Sequence, residues 1–567
     1  MTPNTDVVII GAGGGGSVIA KELGEKGIEV VLLEAGPWYG NNKWPAPNQE
    51  HGAVSSSNPE DLNIEILHKS FTNYESDMND IITGKLRWGP ADSNQNPWSR
   101  NIPQAGFAWQ SSGIGGSTLL YFANSPRAHQ SAIDGIWPIA YNEMIPYYEK
   151  VEADLPVFPA PMTSKDELFF YGAQKAGWSL LKTLNVTSPG YRPQPNAILP
   201  PPPHINESDF EFDGHSEGCT LCGHCVNSCG IGPRVEKVAK RSTLTSYIPY
   251  ALKTGRVEVR PNLFVTKILT GKDKAGDLKC VGVRFRDTWT GETGELKAKA
   301  VVMAAGAIES PRLWLNSQLP ANPWVGKGLT NHWFDCVAGI FAGKVLLEVL
   351  GTGAVEPYIG QNSAARFDYP GLGVIQLLGI SPGLYSTILY SLSADGYSFL
   401  RQPNPNAPWD IRGRTAGQEL TEFMAEYPRT LSVLIFTSDE VSQKNGVTLD
   451  TLLRDAHGRI PKIKYEPSYA DMKKRDTLAA IAADILKKAG AKKIIRPNLP
   501  PGLFIHIEST MRMGYVTDPD CEALQVKRLF IADNSVHYNS LGGPNPTLTT
   551  QALAVRTAEK LVQKYFN

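Results

Sequence analysis

The sequence predicts an α/β protein: a parallel, Rossmann-like sheet joined to a second, α+β unit with an antiparallel sheet. Two observations carry this expectation. Near the start, the apolar run Asp6–Ile10 leads through GAGGGG into a helix-like segment, SVIAKELGEKG, and then into a second apolar run, IEVVLLEAG. That is the strand–turn–helix–strand order of a parallel sheet. Much later, YSTILYSLSA (Tyr385–Ala394) and RTLSVLIFTSDE (Arg429–Glu440) are β-rich runs outside any such alternation. A chain of 567 residues also exceeds one ordinary core, and at ~150 residues per domain it divides into roughly two to four units.

The first turn has a chemical reading. GAGGGG satisfies G-x-G-x-x-G at Gly11, Gly13 and Gly16, with Gly14 inside the turn. The first glycine permits the tight turn, the second lets backbone approach a pyrophosphate, and the third lets helix and strand pack closely. The helix that follows offers unpaired N–H groups and positive dipole character to phosphates. Glu34 ends the second run, where a carboxylate accepts hydrogen bonds from both hydroxyls of an adenosine ribose. The motif points to a dinucleotide without separating NAD from FAD.

Composition narrows the partners. Hydrophobic residues make up 42% and charged residues 20% of the chain, and the formal net charge is −1. Neither nucleic acid nor an anionic membrane is indicated. No run approaches the ~20 apolar residues that span a bilayer, and the start lacks the basic and apolar regions of a secretion signal. A cytoplasmic protein is the expectation, with export alongside a signal-bearing partner as the alternative. In TLAAIAADILKKAG (Thr477–Gly490) the pattern predicts an amphipathic helix stopped by glycine.

Four of the seven cysteines fall within GCTLCGHCVNSCGIGP (Gly218–Pro233), at Cys219, Cys222, Cys225 and Cys229. The spacing C-x2-C-x2-C-x3-C matches the ferredoxin arrangement in which thiolates wrap an iron–sulfur cluster. Structural zinc usually uses two C-x2-C knuckles separated by a longer loop, so it fits poorly. Disulfides between cysteines this close are strained. The ferredoxin pattern normally continues with proline, whereas GIGP follows Cys229. Four ligands to one [4Fe–4S] cluster, a three-iron cluster and reduced thiols without metal all remain readings of this segment. Cys280, Cys336 and Cys521 are expected to be buried small residues.

Several segments together resemble the glucose–methanol–choline (GMC) family of flavin oxidoreductases. SSGIGGSTLLY (Ser111–Tyr121) is similar to the family's glycine-rich segment beside the flavin. RPNLFVTKI (Arg260–Ile268) with KCVGVRF resembles its strand pair near the adenine, and VVMAAGAIESPRLWLNSQ (Val301–Gln318) its strand, Ala-Gly turn and helix. HIESTMRMG (His506–Gly514), RLFIADNSV and NPTLTTQALAVRTAEKLV (Asn545–Val562) resemble its closing segments. Ser509 stands where the family commonly has glycine.

The resemblance implies FAD held by Gly11, Gly13, Gly14, Gly16, Glu34, Gly116, Ser117, Val265, Ala305, Gly306, Asp533, Asn545, Pro546 and Thr547. It implies His506 as catalytic base and Asn545 as positioner of the substrate oxygen, with His537 as the competing base and His332 as structural. Some dehydrogenases of the family carry a cluster in cysteines at this point of the chain. The implied activity is FAD-dependent oxidation of a CH–OH group of a sugar or other alcohol. Electrons would leave through the cluster to an external acceptor or an electron-transfer subunit. The alternatives are an oxygen-using oxidase with structural cysteines and a non-redox flavin-containing lyase. The FAD-binding domain is expected from discontinuous segments, residues 1–45, 100–135, 210–330 and 500–567. Residues 46–99, 136–209 and 331–499 supply the substrate domain with its antiparallel sheet, and the lid or linker segments.

Overall fold

The structure, a computed structural model, describes residues 4–36, 38, 107–108, 110–201, 218–226, 229, 239–288, 290–394 and 405–566. Residues 46–99, expected among the substrate-domain and lid or linker segments, lie outside these residues. The proline-rich run from Ile198 to His204 and the cysteine segment lie partly outside them.

One seven-stranded sheet is built on the N-terminal strand Thr5–Ile10, which pairs in parallel with Val30–Leu33 on one side and Thr293–Met303 on the other. Val7, Val8 and Ile9 are fully buried between the covering helices. Burial of this kind is worth ~1.5–3 kcal/mol for each side chain, so the run is apolar on both faces. Thr293–Met303 plays two parts. Its last residues pair in parallel with the first strand and with Leu529–Ile531, while its first five pair antiparallel with Leu278–Asp287. Leu263–Lys272 completes that side, and Val257–Arg260 forms the opposite edge. The helices Gly14–Glu25 and Thr547–Tyr565, from opposite ends of the chain, pack together on this sheet.

The second seven-stranded sheet is largely antiparallel and runs Ile411–Arg412, Ala491–Arg496, Asp335–Phe341, Thr430–Thr437, Gly373–Leu378, Ala365–Tyr369, Gly190–Pro193. The helix Tyr469–Lys488 covers one face of it. This helix begins before the predicted Thr477, because Ser468 and Asp471 form a reciprocal capping box, and it stops before Gly490 at φ +99°.

One expected strand is a helix. Much of YSTILYSLSA folds as the helix Pro382–Leu389. Ser381 caps it by accepting from Leu384 N, and Pro382 occupies the first turn, where its missing N–H costs nothing. Leu384 and Ile388 then fall on one stripe, so the same apolar residues that read as β satisfy a helical period.

Candidate active site

The glycine-rich turn joins the first strand to the helix Gly14–Glu25. Gly11 sits at φ +99°, and a Cβ there would lie 2.5 Å from the Ala304 carbonyl oxygen. A Cβ on Gly15 would stand 1.7 Å from the Ala532 carbonyl oxygen, and on Gly16 1.9 Å from the Gly11 carbonyl oxygen. These positions are closed by backbone. Gly13 and Gly14 differ: the nearest atoms to an added Cβ are 3.9 and 3.7 Å away, and both residues line a large cavity. Gly13 caps the helix without any side chain, and the first turn carries no acid. The cradle therefore offers bare N–H groups to an anion and fits a pyrophosphate.

Glu34 lies at the same end and is 7% exposed. Its Oε2 accepts from Ala12 N at 2.9 Å, and its Oε1 from Gly36 N at 2.9 Å and Gly113 N at 3.0 Å. A carboxylate has about four acceptor positions. Backbone N–H groups of the surrounding loops thus hold the carboxylate in place at the edge of the cavity. Burial pushes its carboxyl above the usual range, against the pull of those N–H groups.

The other expected contacts border the same cavity. Gly116 opens a short turn at φ +53°, with Ser117 exposed beside it. Val265 is buried on Leu263–Lys272, where the pairing register shifts immediately after it, a bulge that re-aims local backbone. Ala305 caps the helix Gly306–Asn316. Asp533 Oδ2 accepts from Gly306 N at 2.9 Å and Ser310 Oγ at 2.5 Å, so it clamps that helix start. Pro546 and Thr547 begin the helix Thr547–Tyr565, whose acid-free first turn also faces the cavity.

At the far end stand His506 and Asn545, with Asn545 Nδ2 3.4 Å from His506 Nε2. Asn545 Oδ1 accepts from Gln376 Nε2, and Gln376 Oε1 accepts from Asn124 Nδ2 at 2.9 Å. Neither Gln376 nor Asn124 was singled out from sequence. Gln376 had a signal, as the lone polar residue within the strand GVIQLL.

His332, expected as structural, touches the expected base directly: its Nδ1 lies 3.0 Å from His506 Nδ1. Its Nε2 is 2.6 Å from the Ser540 carbonyl oxygen. A carbonyl carries no hydrogen, so His332 must donate from Nε2. Burial pushes His332 down to about 4, so near pH 7 it is neutral and its Nδ1 bears a lone pair. His506 must then carry its hydrogen on Nδ1, which leaves Nε2 unprotonated toward Asn545 and the cavity. Burial, and then His332, hold His506 well below the usual imidazole range.

His537 does not line this cavity. It is fully buried, with Nδ1 2.8 Å from Glu508 Oε2 and Nε2 3.2 Å from Thr550 Oγ1. Thr550 spends its hydroxyl hydrogen on the Asn534 side-chain oxygen or the Pro546 carbonyl, so it accepts from His537 Nε2. His537 Nδ1 is then a lone pair, and Glu508 must donate to it as a neutral acid. Burial indeed holds the Glu508 carboxyl well above the usual range. Ser509 sits at φ +68°, a conformation that favours glycine, and its hydroxyl lies 3.3 Å from Thr330 Oγ1.

The four cysteines of the expected ligand set are all free thiols; Cys219 and Cys225 are buried and Cys222 and Cys229 half-buried. Burial, followed by the neighbouring thiols, pushes Cys219 up to about 12, and burial also raises Cys229. Their loop is clamped to the cavity wall. Lys240 Nζ donates to the carbonyls of Cys225 at 2.5 Å, Leu119 at 2.9 Å and Tyr121 at 3.1 Å. Asn362 accepts from Val226 N at 2.9 Å and donates to the Gly223 carbonyl at 2.7 Å. Among the described residues, however, no group of three or more His, Cys, Asp and Glu side chains is arranged to hold a metal ion. The thiols as placed do not fit a cluster.

Comparison with known proteins gives the family. The GMC oxidoreductase N-terminal family model matches residues 5–334 and the C-terminal model residues 441–554. The chain is 27% identical to 2-methyl-1,2-propanediol dehydrogenase of Mycolicibacterium austroafricanum, over 99% of this chain and 96% of that one. It is 24% identical to the fructose dehydrogenase large subunit of Gluconobacter japonicus, over 99% and 98%. Among solved structures, pyridoxine 4-oxidase from Mesorbium loti superposes with a TM-score of 0.60 at 16% identity, covering 98% of this chain and 99% of that chain. The nucleotide cradle, the His506–Asn545 pair beyond it and these matches lead to one conclusion: the chain belongs to the GMC oxidoreductase family.

Proposed function

We propose that this protein oxidises a CH–OH group of an alcohol or sugar, with His506 as the base. The observation that carries this reading is the placement of His506, with Nδ1 against His332 and Nε2 beside Asn545, at the end of a cavity whose other end is a dinucleotide cradle. FAD would be held by the glycine turn, Glu34 and the helix starts at Gly306 and Thr547, and when bound it would supply the acceptor for the hydride of the carbinol carbon. The chain's own part is proton handling and orientation. Asn545 Nδ2 donates to the substrate oxygen and holds it at His506. Its Oδ1 is already engaged by Gln376, which leaves Nδ2 to face the substrate. His506 Nε2 takes the hydroxyl proton, and the positive charge that develops is shared through Nδ1–H with His332.

The test is anaerobic stopped-flow mixing with candidate alcohols and sugars, watched at the flavin absorbance. Bleaching by a substrate supports the reading, and a flavin that stays oxidised with every candidate overturns it. Turnover without bleaching would favour the lyase alternative.

Two acceptors are in play. The cysteine spacing supports an iron–sulfur relay, and one relative is named a large subunit, which suggests an electron-transfer partner. The second reading is an oxidase that uses oxygen, and paromamine 6'-oxidase from Streptomyces fradiae is a relative at 23% identity. Iron and sulfide content of anaerobically purified protein, with hydrogen peroxide yield under air, separates the two.

A further inference from the structure

Beyond the nucleotide-binding loops, the cavity has one polar end and one hydrocarbon wall. The polar end consists of His506, Asn545, Gln376 and Asn124, already bonded to one another in a chain. Tyr121 is also on the wall, but its hydroxyl donates to the Arg241 carbonyl at 2.7 Å. Asn534 and Thr550 also line the cavity, and the Thr550 hydroxyl is engaged by the Asn534 side-chain oxygen and the Pro546 carbonyl; most of the other described side chains beside this end are apolar. Leu378 shares the face of Gln376 two residues along the strand Gly373–Leu378, and Ile380 follows just past its end. Leu434 and Phe436 occupy the same face of the neighbouring strand, in the register Gln376↔Leu434 and Val374↔Phe436. Leu384 and Ile388 come from the helix Pro382–Leu389, four residues apart and so on one stripe. Strand period and helix period thus aim hydrocarbon at one space from three directions.

We propose that the alcohol oxidised here has an apolar body: its hydroxyl lies at His506 and Asn545, and the remainder lies against Leu378, Ile380, Leu384, Ile388, Leu434 and Phe436. This rests on the CH–OH reading above and names the substrate class of the same site. A hexose would bury several hydroxyls against this wall with no partner, and each unpaired hydroxyl costs about tenfold or more in binding. Alkyl substituents gain instead, at about fourfold per buried methylene.

The experiment uses the FAD-loaded enzyme and two readouts. The first is kcat/KM for anaerobic flavin reduction by the primary alcohols from ethanol to 1-octanol, compared with D-glucose and D-fructose. The second is the dissociation constant of 2-methyl-2-hexanol, which has no hydrogen on its carbinol carbon and cannot be oxidised, read from the shift of the flavin spectrum. The expected result is a rise of about fourfold per methylene until the wall is filled, with both hexoses at least about 100-fold below 1-hexanol. Ile388→Asn flattens that rise and weakens 2-methyl-2-hexanol. A hexose equal to or better than 1-hexanol overturns the proposal while leaving CH–OH oxidation standing. If neither class bleaches the flavin, CH–OH oxidation fails and the binding readout decides alone. Tight 2-methyl-2-hexanol that excludes glucose then supports an apolar-ligand cavity, and no binding overturns it.

Discussion

His332→Leu deletes the group that accepts from His506 Nδ1–H and leaves His506 and Asn545 untouched. With His332 present, moving the His506 hydrogen to Nε2 would oppose two lone pairs at 3.0 Å and forfeit a buried hydrogen bond. Without it, the hydrogen on Nδ1 has no acceptor in an apolar setting, a cost of about 1–3 kcal/mol. The imidazole escapes that cost by carrying its hydrogen on Nε2, where it occupies the atom that must act as base. At 1.36 kcal/mol per tenfold, flavin reduction should slow by about 10–100-fold. His332→Gln should recover much of the loss, because one amide both accepts from Nδ1–H and donates toward the Ser540 carbonyl. The assay is anaerobic stopped-flow reduction, with FAD content and thermal midpoint recorded for each variant. Equal loss in the leucine and glutamine variants at full FAD content would show a packing effect alone, and unchanged rates in both would refute the tautomer argument outright.

Three further outcomes are expected. His506 is held well below the ordinary imidazole range by burial, so it is lost as a base only when pH falls through that depressed value; the acid limb of kcat/KM should lie well below pH 6.5, and a limb at or above 6.5 contradicts the assignment. Gly13→Ala meets nothing closer than 3.9 Å, whereas Gly15→Ala drives a Cβ to 1.7 Å from backbone. The first should fold yet bind FAD more weakly, measured by reconstitution of apoprotein, and the second should lose about 3 kcal/mol or more of stability. Glu508→Gln replaces an acid read as neutral with an amide that can still donate to His537, so urea unfolding should shift by no more than about 1 kcal/mol. A larger loss would mean that Glu508 is ionised.

Much of the nucleotide end was legible because its determinants are local. Gly11, Gly13 and Gly16 act within one turn, and Glu34 follows on the adjacent strand. His506 and Asn545 were reachable only through resemblance, since nothing in either local pattern marks a base. The pairing of His332 with His506 was not legible at all: the two segments meet through Thr330 and Glu508, which exchange backbone hydrogen bonds at 3.0 and 3.2 Å from distant parts of the chain. Gln376 and Asn124 were hidden for the same reason. The helix within Tyr385–Ala394 was hidden for a different reason. Its apolar residues satisfy two periods, and the deciding signal, Ser381-Pro382, lies just upstream.

The doubled role of Thr293–Met303 bears on how the protein is made. On the ribosome, Thr5 waits for Ala298, and Val301 waits for Leu529. At ~5–20 residues per second, each wait lasts on the order of tens of seconds. During the first, VVII has only Val30–Leu33 to cover one of its edges. During the second, the cradle lacks Ala532, Asp533 and the helix start at Thr547. Cofactor capture is therefore a late event of biogenesis, and nascent chains halted before residue 529 should emerge unable to retain flavin.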